Sequence, residues 1–252
     1  MNIYIYIYIC MSITGYNGRL GNQIIRNLAV SIIAEKFDLQ VSYYNNEMID
    51  ELGIKLFSGN QVFNNTIKID DDNYFSIYNS DLLENNLDAN FNYFQTKEIT
   101  NFLYDYLHSE KIKSNIIDKN PFNDRYNANN DLFIHVRLTD AAHNNPGANY
   151  YIKTIETIEY NNLYISSDDK MHNIVQEIIQ QYPNAIIIEY DEIKTFQFGS
   201  TCKNVILSHG TFSAIIGYLS FFSYIHYPEF EPGKIWHGDV FSINGWIKHD
   251  FT

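Results

Sequence analysis

From residue 131 onward the chain alternates short apolar runs with amphipathic stretches, and this alternation restricts the folds open to it. The apolar runs are Leu132-Phe133-Ile134-His135-Val136, Leu163-Tyr164-Ile165, Ala185-Ile186-Ile187-Ile188 and Val205-Ile206-Leu207. They predict strands over 131–137, 162–167, 185–190 and 204–208. Helices are expected over 149–159, 170–182 and 211–222. Strands with no polar face, separated by helices, belong to a parallel sheet covered on both sides, and so to an α/β fold. Ligands of such sheets lie at the carboxyl ends of the strands, beside helix N-termini.

The first half is less regular. Residues 3–13 begin by alternating Ile with Tyr and are almost wholly apolar. The run is shorter than the roughly 20 residues that cross a bilayer, and no Lys or Arg precedes it. It predicts a buried strand ended by Thr14-Gly15-Tyr16-Asn17-Gly18, and a soluble, cytoplasmic protein without a membrane anchor. Ile24, Ile25, Leu28, Ile32 and Ile33 then fall at helical spacing up to Phe37, and a short strand is expected over 40–44. Residues 45–90 are rich in Asn and Asp and read as an irregular insertion. A helix is expected over 96–113, and the polar stretch 119–130 is the best linker candidate. The expected division is an N-terminal lobe, 1–130, and a C-terminal lobe, 131–252.

Charge narrows the choice of partner. Thirty acidic against 17 basic side chains leave a net charge of −13, which disfavours nucleic acid because a duplex needs clustered cations. Two cysteines do not make a secreted disulfide framework. Arginine is scarce, with only four: Arg19, Arg26, Arg125 and Arg137. Arg137 ends an expected strand, a placement suited to a bidentate contact with phosphate or carboxylate. The competing reading is an ion pair with a neighbour such as Asp140.

Six short motifs, in order from Gly18 to about residue 220, resemble those of the alpha-1,2-fucosyltransferase family, glycosyltransferase family 11. Gly18-Arg19-Leu20-Gly21-Asn22-Gln23 matches its G-x-L-G-N-Q loop. His135-Val136-Arg137-Leu138-Thr139-Asp140 resembles the H-x-R-R-x-D signature of enzymes that use GDP-fucose. Asn92-Tyr93-Phe94-Gln95 is similar to G-Y-F-Q, and Tyr150-Tyr151-Ile152-Lys153 to Y-Y-x-x-A-I. Ile165-Ser166-Ser167-Asp168-Asp169 resembles the F-S-D-D strand end, and Gly210-Thr211-Phe212-Ser213-Ala214 the S-T-F-S-W-W-A segment. Leu138 replaces the second arginine, Ala214-Ile215 the tryptophan pair and Asn92 the glycine.

The resemblance implies a GT-B-like fold of two Rossmann-like lobes, with the donor nucleotide in the C-terminal one. It implies an inverting transfer of fucose, or a related deoxyhexose, from a GDP-sugar to an acceptor glycan. Arg137 would clamp the diphosphate, a task elsewhere given to a metal. No cofactor and no metal is expected. Gly210, Thr211 and Ser213 would form a second anchor at a helix start, and Ser166, Asp168 and Asp169 would serve ribose or guanine. Simple capping accounts equally well for Thr211, Ser213 and either aspartate. His135 would orient the donor site, although without the motif it reads as a core histidine. Asp140 is a candidate base that pairing with Arg137 would weaken, and His143 is an outside candidate. Arg19, Gly21, Asn22, Gln23, Tyr93 and Gln95 would line the acceptor side. Asp70-Asp71-Asp72 reads as a solvated turn rather than a metal motif.

Two other readings compete. A catalytically impaired nucleotide-sugar or glycan binding protein would keep the fold and lose turnover, and Leu138 favours it. An unrelated α/β nucleotide-binding or hydrolytic enzyme is weakened by the lack of a G-x-S-x-G elbow, a G-x-x-x-x-G-K-[ST] loop or a G-x-G-x-x-G fingerprint.

Overall fold

A computed structural model describes residues 11–15, 18–90, 92–229 and 238–250. The chain forms two compact units. The first comprises 1–46 and 55–94, the second 47–54 and 95–252. The division at 94/95 therefore falls earlier than the expected 130/131. The polar stretch 119–130 lies inside the second unit, where its turns carry structural contacts: Asn120 donates to the Gln197 carbonyl at 2.9 Å.

In the first unit, β1 (Ser12–Ile13) leads through a Gly18 turn into α1 (Leu20–Phe37), and β2 (Val41–Ser42) follows. The strand expected over 3–13 lies mostly outside the described residues. The helix ends as expected, on Asp38 in the left-handed region. α2 (Asn46–Glu51) begins where the chain passes into the second unit. On its return the first unit adds β3 (Thr66–Lys68), α3 (Tyr74–Tyr78) and β4 (Asn86–Asp88). Its four strands are parallel in the order β2-β1-β4-β3. Residues read as an irregular insertion thus supply half of this sheet.

The second unit opens with α4 (Lys97–His108) and α5 (Glu110–Lys119), two helices where one was expected. Ser109, with φ −60° and ψ 143°, ends the first and begins the second. There follow β5 (Leu132–Val136), α6 (Ala148–Ile155), β6 (Leu163–Ser167), α7 (Asn173–Gln181), β7 (Ile186–Ile187), α8 (Glu192–Gly199), β8 (Asn204–Ile206), α9 (Thr211–Tyr218), β9 (Tyr224–Pro228) and β10 (Ile247–His249). The sheet is entirely parallel, in the order β10-β9-β8-β5-β6-β7.

Renumbered from β5, that order is 3-2-1-4-5-6 when read from the β7 edge. The chain first works outward to β7, then returns to β8 on the other side of β5, so the direction of winding reverses between β5 and β8. β5 is buried at all five positions. Its side chains alternate between two helical layers. Leu132, Ile134 and Val136 join the apolar cluster of α6 and α7. Phe133 and His135 face the other layer, where Phe133 meets Phe198 and His135 stacks on Phe212. Each fully buried aliphatic residue contributes on the order of 1.5–3 kcal/mol, so β5 anchors both layers. No described helix is long and apolar enough to cross a membrane.

Candidate functional site

The carboxyl ends of β5 and β8, flanking the reversal, carry His135, Arg137 and the turn that leads to Ser213. His135 is buried in β5, and its Nδ1 lies 2.6 Å from Ser213 Oγ in α9. That oxygen also accepts the Ser208 amide at 3.1 Å. The Ser213 oxygen has two lone pairs and one proton, so the tautomer of His135 sets which of the two groups donates. Burial, with the Arg137 charge in second place, pushes its pKa down to about 3. His135 is therefore a neutral orienting group and too weak a base to take a proton near pH 7. Ser213 is fully buried with its hydroxyl engaged by β5 and the turn after β8. It joins the start of α9 to β5 and to the turn after β8.

Arg137 follows β5 and is 13% exposed at its side chain. It pairs with Asp168, after β6, and with Asp140 in the following turn, and it donates to Thr139 Oγ1 at 3.1 Å. The ion pair weighed for Asp140 is present, joined by a second carboxylate. Asp168 organises this corner: Oδ1 accepts the Leu138 amide at 2.7 Å and Oδ2 the Thr139 hydroxyl at 2.6 Å. Thr139 has a φ of 34°, which costs a β-branched residue about 1–3 kcal/mol and persists only where surroundings enforce it. Leu138 is fully buried within the cluster of α6 and α7. The position of the motif's second arginine is thus a core position here.

Asp169 serves a turn, accepting the Met171 amide at 3.1 Å. Ser166 lies beside His135 in the sheet register and is buried. Gly210 precedes α9 with φ 89° and ψ 165°, and among the described residues no atom beyond its chain neighbours lies within 4 Å of where a Cβ would stand. Thr211, the first residue of α9, is buried. His143 is exposed beside Asn144.

Two residues here escaped the sequence reading. Asn145 donates to the Arg137 carbonyl at 2.8 Å and approaches Ser208 Oγ at 3.4 Å, tying the end of β5 to that of β8. Its Oδ1 accepts the Gly147 amide at 2.9 Å. Asn145-Pro146-Gly147 is a turn signal that could have marked it. His209 is buried beside Gly210, and burial pushes its pKa down to about 4.

The loop and helix motif of the first unit is built around its backbone. Gly18, at φ 71°, turns beneath Asn22, whose side chain would meet any Cβ there at 2.3 Å. Gln23 is buried, donates to the Gly18 carbonyl at 2.8 Å and accepts from Asn45 at 2.6 Å. Gly21 is buried in α1 and Arg19 is exposed at its N-terminus. Arg26 is fully buried and donates to four backbone carbonyls: Thr14, Gly15 at 3.3 Å, Ala89 at 2.8 Å and Asn92 at 2.6 Å. Tyr93 is half-buried in the first unit. Gln95 is buried in the second, where its carbonyl accepts the Asp239 amide at 2.8 Å.

Among the described residues, no group of three or more His, Cys, Asp or Glu side chains is placed to hold a metal ion. The second unit defines an α/β protein with an all-parallel sheet whose winding reverses between β5 and β8 and with glycine-opened helices, compatible with a Rossmann-like fold. No protein-family model matches the chain, and a search of curated proteins finds no match.

Proposed function

We propose that the chain is an inverting glycosyltransferase of GT-B-like architecture. It would transfer fucose, or a related deoxyhexose, from a GDP-sugar to a glycan hydroxyl. The observation that carries this reading is the convergence of Arg137 and the Gly210-opened start of α9 on neighbouring strand ends at the reversal of the sheet. Crevices of that kind receive nucleotides, and helix N-termini favour phosphate.

In the reaction the oxygen of an acceptor hydroxyl forms a bond to C1 as the bond from C1 to the diphosphate oxygen breaks. The electron pair leaves with GDP, and the hydroxyl proton passes to the Asp140 carboxylate, once phosphate has displaced it from Arg137, or to solvent. The growing negative charge needs fixed positive partners. Arg137 meets that need by exchanging a carboxylate for phosphate. Asp140, 55% exposed at its side chain, is the one to yield, while Asp168, 25% exposed, keeps the arm in place. The α9 amides face a position that carries no side chain, so a phosphate can approach the backbone closely. Neutral His135 fixes α9 against β5 through Ser213.

A second reading, a binding protein without turnover, is favoured by the two carboxylates on Arg137 and by the burial of Leu138. Thermal shifts with GDP, ADP and UDP, with and without EDTA, test the nucleotide class. GDP alone should stabilise the chain, and EDTA should not matter. Stabilisation by UDP only, or only with Mn2+, refutes the assignment. Hydrolysis of GDP-fucose, or its transfer to a glycan, separates enzyme from binding protein.

A further inference from the structure

The opposite edge of the second sheet carries a separate cleft of about 350 Å³, within the roughly 300–1,000 Å³ typical of small-molecule sites. It is lined by the opening residues of three strands, Asn204 of β8, Tyr224 of β9 and Ile247 of β10, with His226, Lys203 and Glu159. These are amino ends, so the cleft is distinct from the crevice at the carboxyl ends, and its occupant is independent of the nucleotide reading.

Tyr224 is 56% exposed, an aromatic surface left open at the mouth. Lys203 Nζ lies 5.1 Å from its ring centroid. Asn204 and His226 are more than nine-tenths buried. His226 Nδ1 is 2.8 Å from His249 Nε2, whereas its own Nε2 is buried with no hydrogen-bond partner among the described residues. Leaving that atom unsatisfied costs free energy that a ligand could recover.

The chemistry of the occupant follows from this set. One cation and one carboxylate at the rim cancel, so neither an anion nor a cation is favoured. The exposed ring and Ile247 offer apolar contact to C–H groups, and the amide supplies both a donor and an acceptor. A hydroxyl satisfies His226 Nε2 in either tautomer, because it both donates and accepts. A neutral molecule with apolar faces and many hydroxyls is a sugar. We propose that this cleft is a saccharide-binding subsite, with Tyr224 as stacking platform and Asn204 and His226 as hydroxyl partners.

Saturation-transfer NMR on the full chain with lactose, maltose and N-acetyllactosamine tests the assignment. At least one should bind saturably in the millimolar range, with or without GDP. Tyr224→Ala should weaken that binding about tenfold or more, Tyr224→Phe should keep it within about twofold, and Lys203→Ala should weaken it less than Tyr224→Ala does. Circular dichroism checks that each variant folds, and Tyr224 and Lys203 are both at the rim, so either variant carries the test. Binding of none of the three sugars, unchanged binding by Tyr224→Ala, or displacement of sugar by GDP would overturn the proposal. Loss of GDP binding with sugar binding intact would count against the nucleotide reading alone.

Discussion

Ser213 Oγ stands 2.6 Å from His135 Nδ1 and takes the Ser208 amide at 3.1 Å, so one hydroxyl joins β5, the turn after β8 and the first turn of α9. All three residues are buried. Ser213→Ala leaves a backbone amide and a ring nitrogen without partners, each worth about 1–3 kcal/mol. The expected loss of unfolding free energy is about 2 kcal/mol or more by urea denaturation. A change within about 0.5 kcal/mol, the usual effect of a surface substitution, would contradict this role.

The two carboxylates on Arg137 give the diphosphate reading a sharp test. If phosphate displaces Asp140, then Asp140→Asn removes a competitor and should tighten GDP binding several-fold by isothermal titration. Asp168→Asn should weaken it, because Asp168 also holds the Leu138 amide and the Thr139 hydroxyl. Arg137→Ala should abolish GDP stabilisation while leaving the far-ultraviolet spectrum unchanged. Equal losses in Asp140→Asn and Arg137→Ala would defeat the exchange.

Arg26 behaves as a connector of backbone rather than a ligand group. Its guanidinium serves four carbonyls in the first unit, and burial lowers its pKa without displacing the charge at neutral pH. Arg26→Met strips donors from buried acceptors and should destabilise the first unit by about 3 kcal/mol or more. Hydrogen exchange should show faster opening around β1 and β4. Protection unchanged from the parent chain would disprove the connector role.

Acid should unfold the protein through its buried histidines. Burial lowers His135 to about 3 and His209 and His226 to about 4, with His249 adding to the effect on His226. Unfolded, each takes a proton near its ordinary value of 6.5. Below that value the unfolded chain binds more protons, so stability falls as pH drops from 6.5 towards 4 and is fully present above 6.5. Between pH 7 and 5 each group contributes a loss of about 2 kcal/mol. A melting temperature flat across that interval would exclude the effect, and His135→Phe should reduce the slope.

The second sheet was legible where residues are apolar on both faces, as in β5 and β6, because only a doubly covered strand has that pattern. β9, Tyr224-Ile225-His226-Tyr227-Pro228, and β10, Ile247-Lys248-His249, mix polar with apolar residues and carry no such signal. α8 is short and follows an apolar strand closely, which concealed it. The single helix expected over 96–113 ignored Ser109, a good N-cap residue followed by Glu110. Within the crevice, Arg137, Asp168 and Gly210 were readable from their places at strand ends. The inward role of Ser213 was not, since a hydroxyl at a helix start looks the same in sequence whether it faces ligand or core. The turn Asn145-Pro146-Gly147 marks Asn145 locally, but its bonds to Arg137 and Ser208, like those of Asp168 to Leu138 and Thr139, join groups that only the folded sheet brings together.

Gly147 and Gly210 adopt nearly the same conformation, φ 88° and ψ 163° against φ 89° and ψ 165°, and among the described residues neither has an atom beyond its chain neighbours within 4 Å of a would-be Cβ. One opens α6 and the other α9, and these helices cover opposite sides of β5. The two helix starts thus share one backbone solution on opposite faces of β5. A methyl group at either glycine would find space but would force an L-residue into a backbone conformation it rarely adopts, so alanine at either helix start should strain the chain locally while leaving the other helix start unaffected.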